Sequence, residues 1–350
     1  MPNNIRPMSE CPNVFYCTAV ILALVIGSST PLYGNTPVER LLKKPDAWFR
    51  TNEGHKTMSY VLSWQSEHGD WPKNEDTTRE AYTGDRGELQ GTFDNGATIG
   101  ELRVVAKAFG ATQDIEYKKV FLAGLDHILE SQYPNGGWPQ HYPLSQKYHR
   151  HITFNDDTMI HVLDFLRDVA SSDQYKFVDR DRLNAVADAV HRGIECILKC
   201  QVIVDGQATV WCAQHDATTL TPVDARSYEL ASLSGAESAG ILKFLMSIPD
   251  PTPEVINAVD SGVDWFESVK IEGFRYERTN SKRCLTVDPS ARPLWARFYE
   301  IETFRPLFCD RDGIVKYDIE EIGPERRGGY TWYGHWGESL LNAYAKWPHH

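Results

Sequence analysis

Two short stretches of the chain carry closely spaced oxygen-bearing side chains just before an amphipathic helical pattern. In TFDNGAT they are Asp94 and Asn95, and in ITFNDDT they are Asn155, Asp156 and Asp157. A helix N-terminus needs only one such cap, so capping and the helix dipole explain only part of each cluster. Carboxylate and amide oxygens are also the ligands that Ca²⁺ prefers. If the fold brings both clusters together, they could form a calcium site without an EF-hand loop.

An internal repeat predicts that the two clusters do lie together. The segment QSEHGDWPK (65–73) recurs as QYPNGGWPQ (132–140), and TFDNGATIGELRVVAKAF recurs as TFNDDTMIHVLDFLRDVA. A third, weaker copy runs from ATVWCAQHD to SLSGAESAGILKFL. Each unit would contain a helix, a turn with Gly, Trp and Pro, a loop, and a second helix. Such units must stack to bury their apolar faces, so equivalent positions should meet at one rim, with Trp71 and Trp138 as packing anchors.

Helical periodicity dominates the sequence after residue 40, whereas strand-like runs are few and short. Stacked helical hairpins that close on themselves form an α/α toroid. We therefore predict a mainly α fold with short irregular β segments. The 350 residues, of which 41% are hydrophobic, are enough to bury a large core. We expect residues 35–350 to form a single domain.

The ends and charge of the chain restrict the possible partners. Residues 1–34 contain one Arg, an apolar stretch at 14–26 and then small residues, which is typical of a signal peptide. An uncleaved anchor is the alternative. We expect a secreted or periplasmic monomer that does not contact the membrane once the signal is removed. A net charge of −12 argues against nucleic-acid binding but does not exclude an anionic substrate.

The cysteine count leaves an odd number of thiols after removal of the predicted signal. Cys196 and Cys200 lie one helical turn apart and could form half of a zinc site. No matching His or Cys pair follows at finger spacing, so we favour structural burial for both. At least one thiol should stay free or pair between chains.

Four regions are richer in polar and aromatic residues than helix packing requires. They are GTFDNGAT (91–98), NGGWPQHYP (135–143) running into ITFNDD, the segment 211–238, and PLWARFYEIET (293–303) through YDIEEIGPERRGGYTWYG (317–334). Together, and in this order, they resemble the polysaccharide lyase family 10 pectate lyases over nearly all of the chain after residue 40. The resemblance implies an (α/α)₃ toroid that binds Ca²⁺. It also implies cleavage of α-1,4-linked polygalacturonate by β-elimination, which gives 4,5-unsaturated oligogalacturonides.

This chemistry suggests roles for the acidic clusters. Elimination removes the C5 proton of a uronate, which lies next to a carboxylate and is barely acidic. A cation bridging protein carboxylates to the uronate would neutralise that charge. We predict Asp94 and Asp156 as bridging ligands, with Asn95 and Asp157 as further candidates.

Arg226, in VDARSYELASLSG, matches the catalytic arginine of the family, which implies that it removes the proton. Arginine is an awkward base because its ordinary pKa lies above 12. Neighbouring cations and alkaline pH would have to favour its neutral form. The alternative is a structural ion pair with Glu229, Asp224 or Glu237.

Four further residues are candidates for binding substrate, two of which, Arg297 and Arg311, fall in stretches that bind substrate in the family. Arg297 and Arg311 have planar guanidinium groups suited to uronate carboxylates, although lone arginines are usually ordinary surface charges. Tyr330 could stack on a sugar or donate a hydrogen bond to it. His215 is predicted to contribute to a substrate subsite, with a local structural hydrogen bond as the alternative.

Two other functions remain open at this stage. An α/α toroid can also carry a glycoside hydrolase with an Asp/Glu acid–base pair, because a fold does not determine function. A non-catalytic polysaccharide-binding protein is the other possibility. The presence of Arg226 together with both acidic clusters argues against this second possibility, whereas an assay separates a lyase from a hydrolase. Elimination gives a product that absorbs in the ultraviolet, whereas hydrolysis gives only new reducing ends.

Overall fold

The computed structural model describes residues 36–279 and 282–349 of the chain. The predicted signal peptide or anchor lies outside these described residues, so export of the protein stays a prediction. The described residues group into one unit. None of the helices in the described part of the chain is both long and apolar enough to span a bilayer.

Nine α-helices make up most of the structure within residues 36–279 and 282–349. They are α1 (Asn52–Ser63), α2 (Ile99–Thr112), α3 (Ile115–Glu130), α4 (Thr158–Ser171), α5 (Arg180–Cys200), α6 (Glu237–Met246), α7 (Pro253–Ser268), α8 (Pro324–Gly329) and α9 (Trp336–Tyr344). Short 3₁₀ turns lie between them, two of which, Asp94–Gly96 and Asn155–Asp157, precede α2 and α4.

Consecutive helices pack as three hairpins, in which α2 contacts α3, α4 contacts α5, and α6 contacts α7. Helices α2, α4 and α6 also pack side by side and, followed by α9, form an inner layer. Helices α3, α5 and α7 form the outer layer, and α1, which has the equivalent place in the first repeat, is counted with these outer helices. Most residues of α2, α4 and α6 are buried, as expected of helices covered on both sides. The predicted mainly α, (α/α)₃ toroid-like fold is confirmed.

The strands are short and form two-stranded antiparallel ribbons. The pairs are β1 (Ile152–Thr153) with β4 (Gln214–His215), β2 (Ile203–Val204) with β3 (Gln207–Ala208), β5 (Leu233–Ser234) with β9 (Phe298–Tyr299), β6 (Phe274–Thr279) with β7 (Lys282–Val287), β8 (Trp295–Ala296) with β12 (Tyr333–Gly334), and β10 (Phe308–Cys309) with β11 (Val315–Lys316). The β6–β7 hairpin is longer than the other ribbons. It packs against α8.

The sequence repeat corresponds to a repeated set of hydrogen bonds. Four fully buried tryptophans each donate their indole N–H to a carbonyl near the end of an outer-layer helix. The pairs are Trp71 with Val61, Trp138 with Ile128, Trp211 with Ile197, and Trp295 with Phe266. The predicted packing role of Trp71 and Trp138 is confirmed.

Three glutamines that follow outer helices link each repeat to the next. Each donates its amide N–H to a carbonyl of the following outer helix. The pairs are Gln65 with Val120, Gln132 with Ala189, and Gln201 with Ala258. This repeated bond keeps the hairpins in register, so equivalent turns stay at one rim.

Capping distinguishes the two layers of helices. The outer helices α1, α3, α5 and α7 begin after a side chain that accepts a hydrogen bond from a first-turn N–H. These residues are Thr51, Asp114, Asp179 and Thr252. The residue directly before each inner helix, α2, α4, α6 and α9, makes no such bond, although Ser234 accepts the first N–H of α6 at 3.2 Å. Helix capping therefore does not account for the acidic residues that precede α2 and α4.

All five cysteines of the described residues are free thiols. Cys196 and Cys200 are buried in α5 with their sulfur atoms 4.0 Å apart, which confirms the predicted burial.

Candidate functional site

The two acidic clusters meet at the rim where the inner helices begin. The Asp94–Gly96 turn contacts the Asn155–Asp157 turn, as the repeat predicts. Asn95 and Asp156 adopt left-handed backbone conformations, with φ of 54° and 51°. Asn and Asp tolerate this conformation better than most residues, so these types also fit the local backbone.

Asp94 is a buried carboxylate with two side-chain donors, one of which comes from the next repeat. Its Oδ2 atom accepts hydrogen bonds from the Lys73 ammonium and from Gln140 Nε2, the latter at 2.7 Å. Lys73 and Gln140 occupy equivalent positions in WPK and WPQ of the first two repeats. The other oxygen of Asp94, Oδ1, is buried without a hydrogen-bond partner. That oxygen is free to bind a cation.

Asp156 lies in a charged network that includes the third repeat. Arg297 Nη2 donates to Asp156 Oδ1 at 3.0 Å and also to Glu237 Oε1. Glu237 is fully buried at the start of α6 and also accepts the backbone N–H of Asp156 at 3.4 Å. Burial opposes the charge of Arg297, but Glu237 and Asp156 outweigh it and raise the pKa of this guanidinium.

Asp157 lies against helix α6. A Cβ added at Gly240 would lie 2.0 Å from Asp157 Oδ1, so this carboxylate occupies the space that the glycine leaves. Burial, with a smaller contribution from Glu237, raises the pKa of Asp157 to about 7. Its Oδ1 atom is buried without a partner. The predicted ligand role of Asp157 stays a prediction.

The donor atoms at the rim suit a hard cation in chemistry but do not enclose one. Asp94 Oδ1 lacks a partner, and Asn95 and Asp156 are in the two contacting turns. Across residues 36–279 and 282–349, no three His, Cys, Asp or Glu side chains group closely enough to hold a metal alone. A Ca²⁺ ion bound here would need oxygens from substrate and water as well, which its flexible coordination allows.

Arg226 forms a bidentate ion pair with Glu229. Its Nε donates to Glu229 Oε2 at 2.6 Å, and its Nη2 donates to Oε1. Of the acids considered as partners, Asp224 instead accepts the backbone N–H of Ala231. Burial opposes the charge of Arg226, but the pairing with Glu229 outweighs it and raises the pKa of the guanidinium.

Tyr330 connects Arg226 to the acidic rim. The Arg226 guanidinium lies 5.9 Å from the centroid of the Tyr330 ring, and that of Arg297 lies 5.0 Å from it. The Tyr330 hydroxyl donates to Glu229 Oε1 at 2.7 Å. Because Arg297 also binds Asp156, an unbroken row of contacts joins Arg226 to the acidic turn.

The chain carrying these residues is similar to known proteins over most of its length. The sequence model of the pectic acid lyase family matches residues 65–341. The chain belongs to the pectic acid lyase family. This assignment confirms the predicted family and the predicted enzyme class, a pectate lyase. A comparison with curated proteins gives no significant match.

Two solved structures show how closely this pectic acid lyase follows its relatives. A family 10 polysaccharide lyase from Cellvibrio cellulosa is 36% identical, with a TM-score of 0.79, over 90% of this chain and 97% of that one. An aspartate-to-alanine mutant of a family 10 lyase from the same organism, in complex with trigalacturonic acid, is 35% identical with a TM-score of 0.78. That match covers 90% of this chain and 99% of the mutant.

Arg311 lies at the outer edge of this pectic acid lyase site. It pairs with Glu325 at 3.0 Å and lies 5.6 Å from the centroid of the Tyr228 ring, which Arg226 and Arg326 also approach. The structure thus places Arg311 beside the cluster around Arg226. Its predicted contact with substrate stays a prediction.

His215 lies under the protein surface, which favours the structural alternative, and its predicted contact with substrate stays a prediction. The side chain is fully buried, its Nε2 accepts the Cys212 N–H at 3.1 Å, and its Nδ1 donates to the Leu220 carbonyl at 2.8 Å. Burial lowers the pKa of His215 to about 4. The alternative weighed from the sequence, a local structural hydrogen bond, is what the lyase fold contains.

Two residues at this site were missed by the sequence reasoning. Lys73 precedes the first acidic turn in WPK, and the aligned Gln140 of the second repeat reaches the same aspartate oxygen. Comparison of the aligned repeats position by position, rather than of their acidic residues alone, would have identified both.

Proposed function

We propose that this pectate lyase cleaves α-1,4-linked polygalacturonate by Ca²⁺-dependent β-elimination at the rim of the inner helices. The observation that carries the proposal is the row of contacts from Arg226 through Tyr330 and Arg297 to Asp156, whose turn contacts that of Asp94. The complex of the related Cellvibrio cellulosa mutant with trigalacturonic acid supports a polymer of galacturonate as the substrate.

The acidic turns are proposed to hold the cation between protein and substrate. Asp94, Asn95 and Asp156 would supply carboxylate and amide oxygens, with Asp157 as a further candidate. The ion would neutralise the uronate carboxylate and so make the C5 proton easier to remove. Arg297, already beside Asp156, would orient the substrate carboxylate through its planar guanidinium.

Arg226 is proposed to accept the C5 proton while the bond from C4 to the glycosidic oxygen breaks. The leaving glycosidic oxygen takes up a proton from water, so the products are a 4,5-unsaturated sugar at one new end and an ordinary sugar with a free hydroxyl at the other. The pairing with Glu229 disfavours the neutral form that this role needs. The positive charges of Arg297 and a bound cation act in the opposite direction, and high pH increases the neutral fraction.

The direct test is an assay of polygalacturonate with Ca²⁺ at alkaline pH, followed by ultraviolet absorbance of the unsaturated product. We expect activity in the wild type, and its loss in Arg226→Ala with polygalacturonate binding largely retained. A variant that keeps most of its rate would remove Arg226 from the base role. New reducing ends without the ultraviolet signal would instead indicate hydrolysis.

The Ca²⁺ requirement has a separate test. Chelation should stop the reaction and added Ca²⁺ should restore it, whereas full activity in excess chelator would contradict the metal assignment. Asp156→Asn should raise the half-saturating Ca²⁺ concentration at least about tenfold. Asp250→Asn removes the same charge from an exposed loop between α6 and α7 and should leave that concentration unchanged.

A further inference from the structure

A second basic cluster lies on the β6–β7 hairpin, away from the residues proposed for catalysis. In this hairpin Arg278 and Arg283 are directly opposite each other. Cross-strand partners point to the same face of a sheet, so the two guanidinium groups share one face. Tyr276 precedes them on that face, and the Arg283 guanidinium lies 5.7 Å from the centroid of its ring.

Helix α8 adds a third arginine to this cluster. It packs against β7, and the Tyr276 hydroxyl lies within electrostatic range of both Arg283 and Arg327. Arg327 is 9% exposed, and its Nε atom is buried without a hydrogen-bond partner. The Tyr276 hydroxyl interacts with the Arg283 side chain. The Arg327 Nε–H therefore stays unused beside a concentration of positive charge.

The cluster has no counter-charge within the described residues. No carboxylate in residues 36–279 or 282–349 forms an ion pair with Arg278, Arg283 or Arg327. The neighbouring Arg275, on the opposite face of the hairpin, does have a partner in Asp288. Like charges placed directly opposite in a sheet destabilise it, and a buried unpaired guanidinium is costly. A bound anion would relieve both costs.

The cluster is also connected to the candidate site through α8. Arg326, next to Arg327 in that helix, lies 4.5 Å from the centroid of the Tyr228 ring, over which Arg226 also lies. Helix α8 therefore contacts the proposed active site through one arginine and the hairpin through the next. Helix α8 thus links the hairpin cluster to the residues around Arg226, through two arginines that are 8% and 9% exposed.

We propose that Tyr276, Arg278, Arg283 and Arg327 form an accessory site for a carboxylate of the polygalacturonate chain, outside the residues that carry out elimination. This inference rests on the proposed function, because it takes the same polymer as ligand. Guanidinium groups bind carboxylates through paired N–H donors, and the tyrosine hydroxyl supplies one donor more. The site increases affinity for the polymer and takes no part in proton removal.

The test is a comparison of two hairpin variants with the same change in net charge. Arg283→Gln should raise KM for polygalacturonate about fivefold, with the effect in KM rather than kcat. Arg278→Gln combined with Arg283→Gln should raise it further. Arg275→Gln, on the other face of the hairpin, should leave KM within about twofold of the wild type at the same ionic strength.

Thermal unfolding separates binding from a structural role. Arg283→Gln should keep or raise Tm, since it relieves repulsion with Arg278 in the ligand-free protein. Equal KM values for Arg283→Gln and Arg275→Gln, or a large loss of Tm with Arg283→Gln, would overturn the accessory site while leaving the lyase proposal intact. Absence of lyase activity in the wild type would instead overturn the proposed function, and the accessory site with it.

Discussion

Arg226 and Glu229 form a two-bond ion pair in which the carboxylate is 4% exposed and the arginine side chain 42% exposed. The Tyr330 hydroxyl donates to the same carboxylate and so fixes it further. The arginine is therefore held firmly while part of it stays accessible to a ligand. The pairing raises the pKa of Arg226. Glu229 therefore controls the fraction of molecules in which Arg226 is neutral and could act as a base.

Glu229→Gln should move the rising limb of the pH–rate profile, which lies at alkaline pH, to lower pH. A neutral amide cannot stabilise the charged guanidinium as a carboxylate does, so the pKa of Arg226 falls and its neutral fraction rises at a given pH. We expect a shift of about one pH unit or more in kcat/KM on polygalacturonate. Glu338→Gln breaks a comparable pair with Arg292 away from the site and should leave the limb in place. An unmoved limb in Glu229→Gln would indicate that Arg226 acts as a charged substrate ligand.

Gly240→Ala tests how closely α6 positions the second acidic turn. Alanine normally stabilises a helix interior relative to glycine by about 1 kcal/mol. Here the new Cβ would meet Asp157 Oδ1 at 2.0 Å, so either the turn or α6 must shift. We expect a lower Tm. We also expect a higher Ca²⁺ requirement, because a shift of Asp157 would displace the adjacent Asp156, a proposed ligand.

Gly110→Ala is the matched control for this change. Gly110 lies in α2, and a Cβ there would meet nothing within 4 Å. This variant should keep or raise Tm and leave activity unchanged. If Gly240→Ala behaves in the same way, Asp157 is free to turn away, and the contact with α6 does not position the turn.

The repeat allowed the fold and the meeting of the acidic clusters to be predicted from the sequence. Periodicity identified the helices, and aligned copies placed Asp94 and Asp156 in adjacent turns. The directions of individual side chains could not be predicted from the repeat. Asp156 and Asp157 both have positive φ, and only the packing of Gly240 directs Asp157 against α6.

His215 shows a second limit of sequence reasoning. The sequence QHD gives no sign that His215 would pair with Ile152 in a buried two-stranded ribbon. That pairing joins residues far apart in the chain, and it decides whether the imidazole faces solvent. A motif shared with a family located the segment correctly but did not specify which of its side chains is accessible.

His215→Gln should remove part of the pH dependence of stability. In the folded protein the pKa of His215 is about 4, whereas its ordinary value is 6.5. Above pH 6.5 the imidazole is neutral in both the folded and the unfolded protein, and its contacts contribute fully to the free energy of unfolding. As the pH falls towards 4, the unfolded state takes up a proton that the folded state does not. Stability therefore decreases by about 3 kcal/mol over this range through this residue.

Urea unfolding at pH 7 and at pH 4.5 measures this effect. His215→Gln should be less stable than the wild type at pH 7, by about 1–3 kcal/mol, and lose less on acidification. His191→Gln replaces an exposed histidine of α5. Its free energy of unfolding should fall with pH as steeply as that of the wild type. If the free energy of unfolding falls equally with pH in the wild type and in His215→Gln, the imidazole of His215 is protonated in the folded protein.

Tyr330→Phe and Tyr330→Leu separate the two contacts predicted for this side chain. The hydroxyl already donates to Glu229, and the ring lies between Arg226 and Arg297. Phenylalanine keeps the ring, so kcat/KM on polygalacturonate should fall less than about threefold, with a stability loss of about 1 kcal/mol. Leucine removes the ring that both guanidinium groups approach, and we expect a loss of about tenfold or more in kcat/KM. If kcat/KM falls by the same large factor in both variants, the hydroxyl rather than the ring supports catalysis. A direct hydrogen bond from Tyr330 to the sugar then becomes the better explanation.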